Sequence, residues 1–228
     1  MSASPLPLAR LLQLASPALP VGAFSYSQGL EAAIEAKVVH DTPSAAGWIG
    51  DVLELSIARM DAPVLLRLLQ AWSAADFAAV QRWNAVFLAT RETAQLRAET
   101  VQMGFSLRRL LLDLRLGDAR SHEMLRELPE ISFLVPYALA AVAWGIVPSD
   151  AVIGYLWGWL ENQAMAAVKA VPLGQTDAQR MLAALAERLP RLASDAAALG
   201  DDAVGNFTPR LAMLASRHET QYSRLFRS

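Results

Sequence analysis

Apolar residues recur at intervals of three and four along almost the whole chain. This spacing places them on one face of an α-helix, which completes a turn every 3.6 residues. Hardly any segment shows the alternation of apolar and polar residues that is typical of a half-buried strand. The pattern therefore predicts an all-α fold, a single-domain helical bundle of about ten helices over residues 1–228.

Capping and turn residues divide this pattern into separate helices. Pro43 stands beside the capping residues Thr42 and Ser44, and Asp61 precedes Pro63, as is typical of helix N-termini. Turn residues without periodicity predict an exposed loop over 200–208. The predicted helices are 8–15, 27–37, 43–59, 62–73, 76–89, 92–114, 121–128, 132–145, 149–171, 175–198 and 209–226.

The composition excludes several kinds of site. The chain has no cysteine, which excludes disulfides, zinc–cysteine clusters and thiol nucleophiles. Its three histidines are far apart and form no metal-binding pair, so we predict no metal site. A net charge of −2 with scattered charges argues against nucleic-acid binding. Because 54% of residues are hydrophobic and only 18% are charged, we expect some apolar surface to meet another protein.

Neither a catalytic motif nor a membrane segment is predicted. The sequence lacks a phosphate-binding loop, a nucleophile elbow and a histidine–glutamate pair on one helix face, so no catalytic residue is assigned. Arg10 and two prolines interrupt the apolar N-terminus, which argues against a secretory signal and favours a cytoplasmic protein. Residues 131–148 are uncharged but rich in alanine and interrupted by Pro136, which favours a buried core helix over a membrane span.

Residues 16–31, SPALPVGAFSYSQGLE, interrupt the helical pattern. Pro20 fixes its own φ and Gly22 permits a conformation closed to other residues, so we expect a rigid, irregular linker. Phe24 and Tyr26 follow at the start of the next helix and are expected to be exposed. The segment is interpreted either as a binding surface or as a proline-rich turn beneath a helix N-terminus.

Residues 92–112 predict a helix with one apolar face. Its charged residues Glu92, Arg97 and Glu99 are expected on the solvated side. Gly104 lies in the middle of this helix, where glycine costs about 1 kcal/mol relative to alanine. We therefore expect another backbone or side chain to approach closely at Gly104.

Two further features lie in the second half of the chain. Lys169 is predicted in the last turn of an apolar helix, where the helix dipole or a partner carboxylate would stabilise its charge. Residues 208–228 carry four arginines against one glutamate, together with Tyr222, Leu225 and Phe226. Arginine with aromatic residues is typical of protein interfaces. Since these side chains lack an obvious internal contact, we expect the segment to order on a partner; a frayed helix is the alternative.

Four stretches together resemble the urease accessory protein UreF family. They are SPALPVGAFSYSQGLE at 16–31, ETAQLRAE at 92–99 with QMG at 102–104, AVKAVPLGQ at 167–175, and HETQ at 218–221 with RLFRS at 224–228. The stretches follow the order of the family and extend over essentially the full chain.

The resemblance implies an all-α protein without catalytic activity of its own. Such a protein binds the accessory protein UreD, called UreH in some organisms, and recruits the GTPase UreG to deliver nickel to apo-urease while coupling or gating GTP hydrolysis. It implies a homodimer in that complex, no tightly bound cofactor, and nickel handled transiently. We expect residues 17–31 to face the GTPase, the stretch at about 209–228 to bind the UreD-type partner, and Lys169 to influence hydrolysis. The residues expected to contact partners are Pro20, Gly22, Phe24, Tyr26, Glu31, Lys169, Gln175, His218, Glu219, Arg224, Leu225 and Phe226.

A different class of function stays open. Tyr155, Trp157 and Trp159 cluster in one predicted helix, and clustered aromatic residues line many small-molecule sites. The alternative prediction is thus a helical small-molecule-binding or enzyme domain with an aromatic pocket there. Aromatic residues in an uncharged helix also simply fill a core.

Overall fold

The computed structural model describes residues 6–228, so the first five residues of the predicted domain lie outside it. Over this range the chain forms twelve α-helices and no β-strand. The helices are α1 (Leu6–Ala15), α2 (Leu30–Glu35), α3 (Thr42–Val52), α4 (Ala62–Ser73), α5 (Phe77–Ala89), α6 (Ala94–Asp113), α7 (Ala119–Glu127), α8 (Leu134–Ala143), α9 (Pro148–Ala170), α10 (Gln175–Ala186), α11 (Leu189–Ala198) and α12 (Pro209–His218).

The all-α prediction is confirmed, and ten of the twelve helices have ten or more residues. Helix α4 packs against α5, α8 and α9, which places α4, α8 and α9 at the centre of the bundle. Helix α8 is buried on nearly every side, as expected for an uncharged, alanine-rich core helix. No helix among the described residues is both long and apolar enough to cross a membrane.

Three predicted helix boundaries are wrong. Residues 175–198 form two helices, because Pro190 at the start of α11 has no N–H to continue the helical hydrogen bonds. The last helix ends at His218, and residues 219–228, here called the tail segment, continue without regular structure. Residues 43–59 are divided as well, since α3 passes at Leu53 into a π-helix that extends to Asp61.

The π-helix Leu53–Asp61 is held by the loop that joins α11 to α12. The Gly205 N–H donates to the Arg59 carbonyl at 3.2 Å, and the Asn206 side chain donates to Ser56 Oγ at 3.0 Å. Asp61 makes no capping hydrogen bond, contrary to its predicted role, because the chain enters α4 without leaving helical geometry. π-Helical turns are rare and are frequent at functional sites.

The close approach predicted at Gly104 is confirmed. A Cβ atom at this position would lie 2.2 Å from the carbonyl oxygen of Ile131, in the loop before α8. Asn84 of α5 accepts from the Ser132 N–H at 2.9 Å and donates to the Glu130 carbonyl at 2.8 Å. The loop is thereby pressed against α6 and fixes the entry to α8.

Candidate functional site

The N-terminal motif turns sharply before it enters α2. Gly22 has a φ of 79° ahead of a short 3₁₀ turn, and Gln28 and Gly29 have φ values of 52° and 83°. A Cβ atom on Gly29 would lie 3.0 Å from Leu211 of α12, so glycine suits both the backbone geometry and the packing here. Helix α12 therefore lies directly against the start of α2.

This packing brings the end of the chain to Glu31. Glu31 Oε1 accepts from the Leu225 N–H at 2.6 Å, and Oε2 accepts from the Phe226 N–H at 3.0 Å. Oε2 also lies 3.1 Å from His218 Nε2, whose other ring nitrogen is 2.8 Å from Gln95 Oε1. Glu31 and His218 are both buried. Four predicted partner-binding residues, Glu31, His218, Leu225 and Phe226, are thus in direct contact.

The tail segment also lies along the N-terminal motif. The Arg227 N–H donates to the Ser25 carbonyl at 2.8 Å, and the Ser27 N–H donates to the Ser228 carbonyl at 2.8 Å. Phe226 is buried, and Lys169 Nζ lies 5.8 Å from the centroid of its ring. The premise that the aromatic residues of this segment lack an internal contact is therefore wrong for Phe226.

Phe24, Lys169 and Leu225 lie together on an exposed surface beside this junction, here called the rim. Phe24 is 62% exposed and Leu225 71% exposed, and Pro20 and Arg224 also face solvent. Glu219 is exposed as well and accepts from the Gln95 N–H at 3.3 Å. Two apolar side chains on one surface are typical of a contact site for another protein.

Tyr26 and Gln175 do not join the rim. Tyr26 is buried, contrary to the expectation that it is exposed, and its carbonyl accepts from Asn162 of α9 at 3.1 Å. Burial, together with the nearby Glu99 carboxylate, raises the pKa of the Tyr26 hydroxyl. Gln175 is exposed at the first position of α10 and takes part in none of the contacts described above.

A cavity of about 370 Å³ lies beside this junction. It opens among α1, the N-terminal motif, the π-helix, α6 and α9, and most of its wall is apolar. The side chains that give it polar character include Gln28, Asp61, Arg91, Glu99 and Asn162. Tyr155 and Trp159, which the sequence placed in a possible aromatic pocket, both line it.

A buried ion pair lies at one side of the cavity. Asp61 Oδ1 is 3.3 Å from an Arg91 guanidinium nitrogen, and the Tyr155 hydroxyl donates to Asp61 Oδ2 at 2.7 Å. The Arg91 guanidinium stacks over the Phe87 ring, 4.1 Å from its centroid. Burial beside the Asp61 carboxylate raises the pKa of Tyr155 well above its ordinary value. Tyr155 therefore serves as a hydrogen-bond donor that helps to balance the buried carboxylate.

Glu99 forms a second polar group at the cavity wall. It is 5% exposed, contrary to the prediction of a solvated position, because it lies on the same helix face as Leu96 and Met103. Its carboxylate accepts from Gln28 Nε2 at 2.5 Å and from Ser228 Oγ at 2.8 Å. Burial raises its pKa to about 7, although these two hydrogen bonds oppose the shift.

The sequence reasoning missed most of the cavity. Asp61 was interpreted as a helix start and Arg91 was not singled out, because thirty residues separate the two and no local pattern joins them. The burial of Glu99 was predictable from the sequence, because Glu99 follows Leu96 by three residues and precedes Met103 by four, which places it on the apolar face of the helix. Among residues 6–228, no group of three or more His, Asp or Glu side chains is arranged to hold a metal ion.

The fold and the site define a class: a helical protein in which the N-terminal motif and the C-terminal segment meet in one surface beside a cavity with buried carboxylates. The family model of UreF matches residues 39–186. The chain is 57% identical to the urease accessory protein UreF of Azoarcus sp. strain BH72, over 98% of this chain and 96% of that protein. It is 54% identical to the UreF protein of Dechloromonas aromatica strain RCB, over 98% of each chain. The chain belongs to the UreF family of urease accessory proteins.

Proposed function

We propose that this chain is a non-enzymatic scaffold that binds a UreD/UreH-type protein, recruits the GTPase UreG, and so helps to deliver nickel into apo-urease. Membership of the UreF family supports a role in urease maturation. The observation that carries the partner-binding part is the exposed rim, where Phe24 and Leu225 present apolar surface next to Lys169. Exposed apolar side chains beside a cation suit a partner surface with apolar and acidic groups.

The rim contains residues from both ends of the chain, and we propose a different partner for each end. We assign the tail segment and the adjacent end of α12 to the UreD-type partner, and the N-terminal motif to the GTPase. Because Ser25 and Ser27 are hydrogen-bonded to Arg227 and Ser228, a partner on one segment would affect the other. Such contact offers a route for coupling partner binding to GTP hydrolysis, with two copies of this chain in the complex.

Nickel is proposed to be a cargo that the complex handles only transiently. The cavity is proposed to pass nickel without holding it, because the carboxylates of Asp61 and Glu99 in its wall are already bonded to neighbouring side chains of the protein. Its volume of about 370 Å³ is large enough to hold several water molecules.

Co-purification with the partners tests the scaffold proposal. Phe24→Ala combined with Leu225→Ala removes both apolar side chains of the rim and should reduce recovery of the UreD-type protein and of UreG. Phe207→Ala is the matched control, because Phe207 is 87% exposed but lies outside the rim. Unchanged recovery with the double variant, at normal helical content, would reject the rim as the contact surface.

Small-molecule binding is the second candidate, and the cavity favours it. Tyr155 and Trp159 line a cavity that is large enough for a small ligand. A thermal-shift screen with metabolites tests this candidate, and a reproducible rise in melting temperature would support it. Stabilisation by the UreD-type partner or by the GTPase, with no metabolite active, would favour the scaffold instead.

A further inference from the structure

The tail segment buries little apolar surface. Within residues 219–228 only Phe226 and Ser228 are buried, and Tyr222 is fully exposed. The remaining attachment is by hydrogen bonds: those of Leu225 and Phe226 to Glu31, those between Arg227, Ser228 and the N-terminal motif, that of Ser228 to Glu99, and that of the Gln95 N–H to Glu219. A segment with so little buried apolar surface belongs to the part of a fold that opens locally first.

The Glu31 carboxylate is the centre of this attachment. It receives two backbone N–H groups and faces a ring nitrogen of His218, so both of its oxygens must act as acceptors. Hydrogen bonds to an ionised carboxylate are about twice as strong as those between neutral groups. No glutamine can replace this arrangement, because its amide has one acceptor oxygen and one donor nitrogen.

The end of the tail segment lies against the cavity wall. Ser228 Oγ donates to Glu99 Oε2 at 2.8 Å, whereas Gln28 Nε2 donates to Glu99 Oε1 at 2.5 Å. Glu99 and Gln28 line the cavity, but Ser228 does not. Ser228 therefore contacts the Glu99 carboxylate without lining the cavity itself, and it contributes to the burial of that carboxylate.

We propose that the tail segment is a releasable cover, held in place by the Glu31 carboxylate, that closes the cavity wall at Glu99. Loss of the Glu31 contacts would detach Leu225 and Phe226 and leave the following Arg227 and Ser228 held only by their own hydrogen bonds, so that the whole segment opens more readily. Its release removes Ser228 from Glu99 and opens a second path from solvent to the cavity. This device concerns the chain alone and does not depend on the partners proposed above.

Glu31→Gln in the full chain tests the cover with two measurements. Hydrogen exchange followed by mass spectrometry should show the Leu225 and Phe226 amides exchanging faster, roughly tenfold or more, because an amide N–H would face a donor. Carboxyl labelling with a carbodiimide and an amine should then rise severalfold at Glu99. Glu35→Gln is the matched control, since Glu35 lies one turn further along α2 and is exposed.

A second variant separates release of the cover from damage to the fold. A chain that ends after Arg224 lacks the covering residues but keeps Glu31, and it should show the same increase in Glu99 labelling with its helical circular dichroism preserved. The proposal is overturned if Glu31→Gln leaves exchange of the tail segment unchanged. It is equally overturned if either variant frees or removes the segment while Glu99 stays as unreactive as in the unaltered protein.

Discussion

Replacing Gly104 by alanine is predicted to destabilise the protein, although alanine is the better helix former. The new Cβ atom would lie 2.2 Å from the carbonyl oxygen of Ile131 and 2.7 Å from the carbonyl carbon of Ser132. Cβ atoms are almost never closer than 3.0 Å to another atom, so the loop must move by roughly 1 Å. Asn84 and Thr100 hold this loop by hydrogen bonds to Ser132 and Phe133, and therefore resist the movement.

The magnitude follows from three contributions. Alanine gains about 1 kcal/mol in helix propensity over glycine. Overpacking of a close contact costs roughly 1–3 kcal/mol, and a buried hydrogen bond broken by the displaced loop costs about 1–3 kcal/mol more. The net loss in the free energy of unfolding is thus roughly 1–5 kcal/mol, which lowers the melting temperature of a chain of this size by roughly 2–20 °C.

Gly47→Ala supplies a control of opposite sign. Gly47 lies inside α3, is exposed, and has no atom within 4 Å of the position its Cβ would take. Alanine there should raise the free energy of unfolding by up to about 1 kcal/mol. Urea unfolding followed by far-ultraviolet circular dichroism measures both variants. If Gly104→Ala were neutral or stabilising like Gly47→Ala, the close approach of the loop to α6 would be refuted.

Further predictions concern the buried groups and Lys169. Between pH 4.5 and about 7 the folded protein keeps a proton on Glu99 that the unfolded chain releases, so stability should fall as pH rises through this window. In urea titrations at a series of pH values, Glu99→Gln should reduce the change in the free energy of unfolding across this window by up to about 3 kcal/mol. If the variant showed the same dependence on pH as the unaltered protein, the burial of the Glu99 carboxylate would be contradicted. Asp61→Asn leaves the Arg91 charge buried without its partner and should cost roughly 3–5 kcal/mol. Tyr155→Phe removes one hydrogen bond to a charged group and should cost only about 1–3 kcal/mol. If the two variants lost the same free energy of unfolding, the ion pair between Asp61 and Arg91 would be contradicted. Lys169→Ala should change GTP turnover in the assembled complex, and an unaltered rate would leave Lys169 as a cation that stabilises the end of α9.

The helices were predictable because burial imposes a local period. The spacing of apolar residues predicted the core helix α8 and the long α9, and both are observed at nearly the predicted bounds. Gly104 was predictable in the same way, since a glycine inside a helix has a local energetic cost that needs a structural reason.

Other features depend on contacts that no local pattern contains. The π-helix Leu53–Asp61 is bonded to a loop about 150 residues further along the chain, through Ser56 and Asn206. The course of the chain after α12 depends equally on a distant group, the Glu31 carboxylate, which accepts hydrogen bonds from the Leu225 and Phe226 N–H groups. The helical period continued into residues 219–226 and so predicted a longer helix than the chain forms.

The proposed partner-contact surface was predicted only in part, because it too depends on contacts between residues that are far apart in the sequence. The two end stretches were each predicted to bind a different partner, and their direct contact, which comes from the packing of α12 on Gly29, was not predicted. Composition alone indicates that arginine and aromatic side chains meet a protein surface. It does not distinguish the surface of a partner from that of the chain itself, which is why Phe226 was expected to be free and is buried.

Urease maturation in cells tests the central proposal most directly. A urease-producing strain that lacks its own UreF gene, but keeps the genes for the UreD-type protein and UreG, is supplied with this chain or with its Phe24→Ala, Leu225→Ala variant. The proposal predicts that the unaltered chain restores both the activity and the nickel content of the purified urease, and that the variant restores neither. Equal nickel content in urease from cells with and without the chain would contradict the account.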